Sequence, residues 1–96
     1  MNSKQRKTLS SLAAKINPVV SIGKGGLNES VIREIDSVLE DRELVKIKVL
    51  RNSMLNPKET LADVAGLLNA QAVRSIGNNI IIYRRSDKKD IEHIIF

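Results

Sequence analysis

Gly23-Lys24-Gly25-Gly26 is the part of the chain best suited to hold a charged ligand. Val19-Val20-Ser21-Ile22 precedes it as a β-branched apolar run, and Leu27-Asn28-Glu29 opens an amphipathic segment behind it. Glycines at positions 23 and 26 remove the Cβ atoms that would hold another backbone away, and glycine reaches positive φ at low cost. A helix start immediately behind offers unpaired N–H groups and the positive end of a helix dipole. Such a corner suits a phosphate or a sugar-phosphate backbone, and Lys24 adds a formal charge. The spacing is not that of a Walker A loop, because no Gly-Lys-Ser/Thr follows, and the third glycine of a dinucleotide loop is missing. The plainer reading of the same residues is a tight strand-to-helix turn that binds nothing.

The remaining chemistry is carried by cations. Sixteen Lys and Arg against eleven Asp and Glu give a net charge of +5, a balance that favours a polyanionic partner such as nucleic acid. Lys4, Arg6, Lys7, Lys15 and Lys24 precede any acid. Lys46, Lys48 and Arg51 form a second basic group, and Arg84 with Arg85 a third. For each group the alternative is an ordinary solvated face. Of the last pair, one arginine is expected to meet ligand, Arg84 being the candidate, and the other to cap or pack. The acids are bunched, with Glu29, Glu34, Asp36, Glu40, Asp41 and Glu43 falling in or just after one amphipathic segment. Asp41 and Glu43 read as solvating that face.

Cysteine is absent, which removes disulfides, thiolate catalysis and cysteine-based zinc sites. His93 is the sole histidine and has no acid–base partner in its neighbourhood of the sequence. No nucleophile–base–orienter pattern is visible, so no enzyme, metal or cofactor is expected. Tyr83 and Phe96 are the only aromatics. Stacking of several bases on a sheet is therefore not expected, which leaves contact with phosphate and 2′-hydroxyl groups. No export signal and no membrane-length apolar run is visible, so a cytoplasmic, monomeric domain without membrane or small-molecule partners is expected.

These groups need a scaffold. Ser3 reads as the cap of a first helix over about Lys4 to Ala14, with Leu9, Leu12, Ala13 and Ile16 as its buried face. Asn17-Pro18 ends it, and Val19 to Ile22 is the first strand. Asn28 caps a second helix whose stripe is Val31, Ile32, Ile35, Val38 and Leu39. Leu44 to Leu50 is a strand with Lys46 and Lys48 on one side, a side that must be wet or covered by a partner. Asn56-Pro57 starts a third helix running to about Leu68. Gln71 to Ile76 and Ile80 to Arg85 are strands joined by Gly77-Asn78-Asn79. The order helix, strand, helix, strand, helix, strand, strand predicts an α/β domain, a mixed four-stranded sheet packed with three helices. The domain is expected to span residues 1–85. Residues 86–96 are read as a charged linker and an apolar tail that either packs back or frays.

With the elements placed, the chain closely resembles the YhbY family, the free-standing bacterial form of the CRM (chloroplast RNA splicing and ribosome maturation) domain. The resemblance rests on five ordered blocks. They are Lys4-Gln5-Arg6-Lys7 with Leu9 and Leu12, Asn17-Pro18-Val19-Val20, Ile22-Gly23-Lys24-Gly25-Gly26-Leu27, Glu43-Leu44-Val45-Lys46-Ile47-Lys48, and Ile76-Gly77-Asn78-Asn79-Ile80-Ile81-Ile82-Tyr83-Arg84. It implies a fold similar to the C-terminal domain of bacterial translation initiation factor three. It also implies RNA binding through the glycine loop, analogous to the KH-domain clamp on nucleotide backbone, and a role on precursors of the large ribosomal subunit. A rival from a different class is a protein-interaction module whose acidic second helix docks a ribosomal protein. A small nucleotide-binding enzyme is the third reading and has the least support, because no metal or acid–base set accompanies the loop.

Overall fold

Asn2, one residue earlier than expected, caps the first helix. Its side chain accepts from the Gln5 amide at 2.8 Å, and the Gln5 side chain accepts from the Asn2 amide at 3.0 Å. This reciprocal box satisfies two donors at once, which Ser3 could not do from inside the helix. A computed structural model describes all 96 residues. Its elements are α1 (Ser3–Ala13), β1 (Val20–Ile22), α2 (Glu29–Arg42), β2 (Leu44–Val49), a 3-10 turn (Arg51–Ser53), α3 (Pro57–Leu67), β3 (Gln71–Ile76) and β4 (Asn79–Tyr83). Three helices and a mixed four-stranded sheet in the order αβαβαββ are those expected. Asn28 and Asn56 cap α2 and α3 as read from the sequence, accepting from Val31 N at 2.9 Å and Glu59 N at 3.1 Å.

The strand order is β1-β2-β4-β3, with β1 parallel to β2 and β4 antiparallel to both its neighbours. The hairpin strand β4 is thus slotted between β2 and β3, and it is covered on both faces. Ile80 and Ile82 join Val20, Ile22, Val45, Ile47 and Val49 beneath α2 and α3, which contribute Ile35, Leu39 and Val64, with Leu68 at the α3 C-cap. Ile81 and Tyr83 point the other way and pack with Leu44, Val73 and the α1 residues Leu9 and Ala13. Burial of such aliphatic side chains stabilises the fold by about 1.5–3 kcal/mol each relative to exposure.

Helix α1 covers less of its face than its apolar stripe suggests. Leu9 and Ala13 are fully buried, whereas Leu12 and Ile16 are each 37% exposed. The helix sits over the half of the sheet that carries Leu44, Ile81 and Tyr83. The other half of that face carries no helix. A row of directly opposed residues, Ser21–Lys48–Asn79–Ile76, runs across all four strands there, and opposed residues share a face. Ser21, Lys48 and Ile76 are exposed.

The segment after Ser86 docks on the body of the domain. Phe96 meets Tyr83 edge-on with ring centroids 5.0 Å apart, and Ile94 packs against the α1 cluster. Residue 85 is therefore not the edge of the folded unit.

Candidate nucleic-acid interface

The glycine loop leaves the end of β1 as a tight turn, closed by the Gly26 amide donating to the Gly23 carbonyl at 2.9 Å. Its three glycines stand under three different constraints. Gly26 sits at φ +64°, where a side chain strains the backbone. Gly25 has no room: a Cβ there would come within 2.7 Å of the side-chain amide nitrogen of Asn28, and Asn28 is held in place by its cap bond to Val31. Gly23 has neither constraint. A Cβ would meet Asn52 Oδ1 at 3.6 Å and the Leu50 side chain at 3.7 Å, ordinary contacts that place the 3-10 turn directly against the loop.

The amides of Lys24, Gly25, Leu27 and Asn28 donate to no group inside the protein, and Lys24 and Gly25 are exposed. Behind them lies the α2 N-terminus, whose positive end is offset in part by Glu29 in its first turn. Three cations from three elements lie at this end of the sheet: Lys24 in the loop, Lys48 opposite Ser21 on β2, and Arg51 at the start of the 3-10 turn whose Asn52 meets Gly23. Each is exposed and forms no side-chain hydrogen bond or ion pair with the rest of the chain. In the sequence, Arg51 stands out only as part of a basic group. The signal that could have placed it is the β2–α3 loop, which must start at the same sheet end as the β1–α2 loop because β1 and β2 are parallel.

Other expected site residues are placed elsewhere. Lys46 is half-buried and its ammonium donates to the Ile16 carbonyl at 3.1 Å, latching the connection between α1 and β1. Arg84, which the sequence suggests as a ligand contact, is instead a structural pin. It bonds the Leu68 carbonyl at 2.9 Å, Asp36 at 2.8 Å and Glu40 at 3.1 Å, with its side chain only 20% exposed. It leaves the strand at that point, because β4 ends at Tyr83. Arg85 is the exposed member of the pair. Lys4, Arg6 and Lys7 on α1, and Lys15 just beyond it, are all exposed. Arg6 and Lys7 border a cleft against β3, and Lys15 borders a groove shared with Lys46 and the tail.

Four of the six acids of the acidic segment have partners within the molecule. Asp36 and Glu40 hold Arg84, Asp41 holds Lys88, and Glu43 is a buried hub. The sequence suggests that Glu43 solvates a face, yet it is 1% exposed. Its carboxylate accepts from the Ser86 amide, the Ile94 amide and His93 Nδ1, each at 2.7 Å. Burial alone would raise this carboxyl, but the bonds from His93, Ile94 and Ser86 outweigh it and hold the group below its ordinary value. His93 thus has a partner fifty residues away in sequence, which ties the tail down. Tyr83 beneath the tail is pushed up by burial and by the Glu43 charge. Only Glu29 and Glu34 of the six acids stay largely free, Glu29 reaching Arg33 at 3.9 Å in an exposed pair.

No helix is long and apolar enough to cross a membrane, and no three His, Cys, Asp or Glu side chains converge as a metal site would require.

Comparison with known proteins gives a consistent picture. The profile of the CRS1 / YhbY (CRM) domain matches residues 1–84. YqeI of Bacillus subtilis, described as a probable RNA-binding protein, is 39% identical, the match covering 96% of this chain and 97% of that one. An RNA-binding protein of Haemophilus influenzae is 33% identical, with 96% and 93% covered. The solution structure of SAV1595 from Staphylococcus aureus, whose description suggests RNA binding, superposes with a TM-score of 0.79 at 42% identity and covers 98% of this chain and 99% of that one.

Proposed function

The chain belongs to the CRS1 / YhbY (CRM) domain family, and from that premise we propose that it is a non-enzymatic RNA-binding protein whose ligand is precursor ribosomal RNA of the large subunit. In this reading it acts as a cytoplasmic monomer during 50S assembly. The observation that carries the reading is the convergence of unpaired loop amides with Lys24, Lys48 and Arg51 at one end of the sheet. A ribose-phosphate backbone would approach the turn at Gly25 and accept from the exposed amides, with the three cations pairing to phosphates on either side. Recognition of this kind follows backbone and shape more than base identity.

Binding of a large-subunit RNA fragment, followed by fluorescence anisotropy across a salt series, tests it. Contact with about four phosphates of a single strand gives a log–log slope near −3, at about −0.7 per phosphate. Lys24→Glu is expected to weaken binding at least tenfold while leaving the thermal melt unchanged, and to reduce association with precursor particles on sucrose gradients. A slope near zero, or a Lys24→Glu protein that binds as well as the parent, contradicts the reading.

A further inference from the structure

We infer that the cleft between α1 and β3 is a second phosphodiester site, reached by the same RNA only when the strand is long enough to cross the half of the α1 face of the sheet that carries no helix. The inference rests on the RNA-binding reading above. The cleft is bordered by Arg6, Lys7 and Arg74 together with the hydroxyls of Ser3, Ser10 and Ser11, and no carboxylate lines it. Guanidinium forks and hydroxyl donors are the groups that match the oxygens of a phosphodiester. The first turn of α1 contains no acid, so its positive end is not neutralised.

Arg74 is aimed into this cleft by a defect in the strand. The pairing of β3 with β4 slips between Ala72 and Arg74. Val73 packs with Leu9 and Ala13 of α1, yet the next residue, Arg74, also turns toward α1 and donates to Ser10 Oγ at 3.2 Å. In a regular strand two consecutive side chains point to opposite faces, so the bulge is what allows both to face the helix. The hydroxyl of Ser10 uses one of the five guanidinium donors of Arg74 and leaves the fork free.

The glycine loop follows β1 at one edge of the sheet, and Arg74 lies on β3 at the other. The separation across the strands is three spacings, roughly 14 Å. Between them lies the row on which Lys48 stands, exposed at Ser21, Lys48 and Ile76 and half-buried at Asn79. A strand leaving Lys24 passes Lys48 and arrives at Arg74, Arg6 and Lys7.

Anisotropy with single-stranded RNAs of about four and about twelve nucleotides tests this on the full chain. Arg74→Ala, and independently Lys7→Glu, are expected to leave affinity for the short RNA within about twofold and to weaken the long one about tenfold. The salt slope for the long RNA should become shallower by about 0.7 for each phosphate that is no longer neutralised. Thermal melts confirm that each variant is folded, and Lys7, having no intramolecular partner, remains decisive if Arg74→Ala melts early. Equal affinities of both variants and the parent for the long RNA would overturn the second site while leaving the loop reading intact, provided that Lys24→Glu still weakens both lengths. A parent protein that binds neither RNA overturns both.

Discussion

Three glycines in one tetrapeptide respond differently to the same substitution, because each is there for a different reason. Gly23→Ala is expected to fold with parental stability, since its Cβ finds ordinary contacts with Asn52 and Leu50. Gly26→Ala should cost about 1 kcal/mol, the penalty of a left-handed residue carrying a Cβ. Gly25→Ala pushes on the Asn28 cap, which is worth about 1 kcal/mol when removed, so it weakens α2 as well as the loop. Urea titrations should leave Gly23→Ala at the parental midpoint and move the other two to lower urea. Lys24 is therefore the cleaner probe of RNA contact than Gly25. A second residue-scale expectation concerns Glu43. Its folded-state pKa is depressed, so its contribution to stability is present above the ordinary value of 4.5 and is lost as pH falls through the lower folded value. Glu43→Gln should melt below the parent at neutral pH, and the two melting temperatures should converge on acidification. Parallel pH profiles would show that the buried carboxylate does not hold the tail.

Among the elements, α2 and β4 are readable from the chain because each carries a strong, regular apolar pattern. The stripe from Val31 to Leu39 has helical period, and Ile80 to Tyr83 is apolar throughout, as a strand covered on both faces must be. The glycine loop is readable for a related reason, being bounded by an apolar strand and the α2 stripe. Arg84 is not. Its role as a pin arises because α2, the end of α3 and β4 meet there, and only the packed structure brings Asp36, Glu40 and the Leu68 carbonyl to one guanidinium. Glu43 and His93 are hidden in the same way, fifty residues apart with nothing local to join them. Arg74 escapes notice because a bulge breaks the alternation on which strand reading depends. At this scale Arg84→Ala is expected to lower stability by about 2 kcal/mol, since it leaves partly buried carboxylates unpaired at a junction of three elements. Differential scanning calorimetry should show a fall in melting temperature of roughly 8–16 °C for a chain of this size. RNA affinity measured well below that temperature should be unchanged; a large fall in affinity in a folded protein would return Arg84 to the interface.

At the scale of the whole molecule, charge is sorted by folding more sharply than by sequence. Asp36, Glu40 and Asp41 are engaged by Arg84 and Lys88, and Glu43 by the tail, whereas Lys24, Lys48 and Arg51 face solvent without a partner. These three lie at the end of the sheet where β1 and β2 finish, and no helix covers the adjoining half of the α1 face. The strand order that produces this, with β4 between β2 and β3, could not be read from the chain, because the hairpin alone does not say which of its strands joins β2. The most direct measurement is an amide chemical-shift titration with large-subunit RNA. The amides of residues 23–28, with Lys48, Arg51 and Asn52, are predicted to move first and furthest. Movement confined to the exposed face of α2 around Glu29 and Glu34, with residues 23–28 unchanged, would contradict the account.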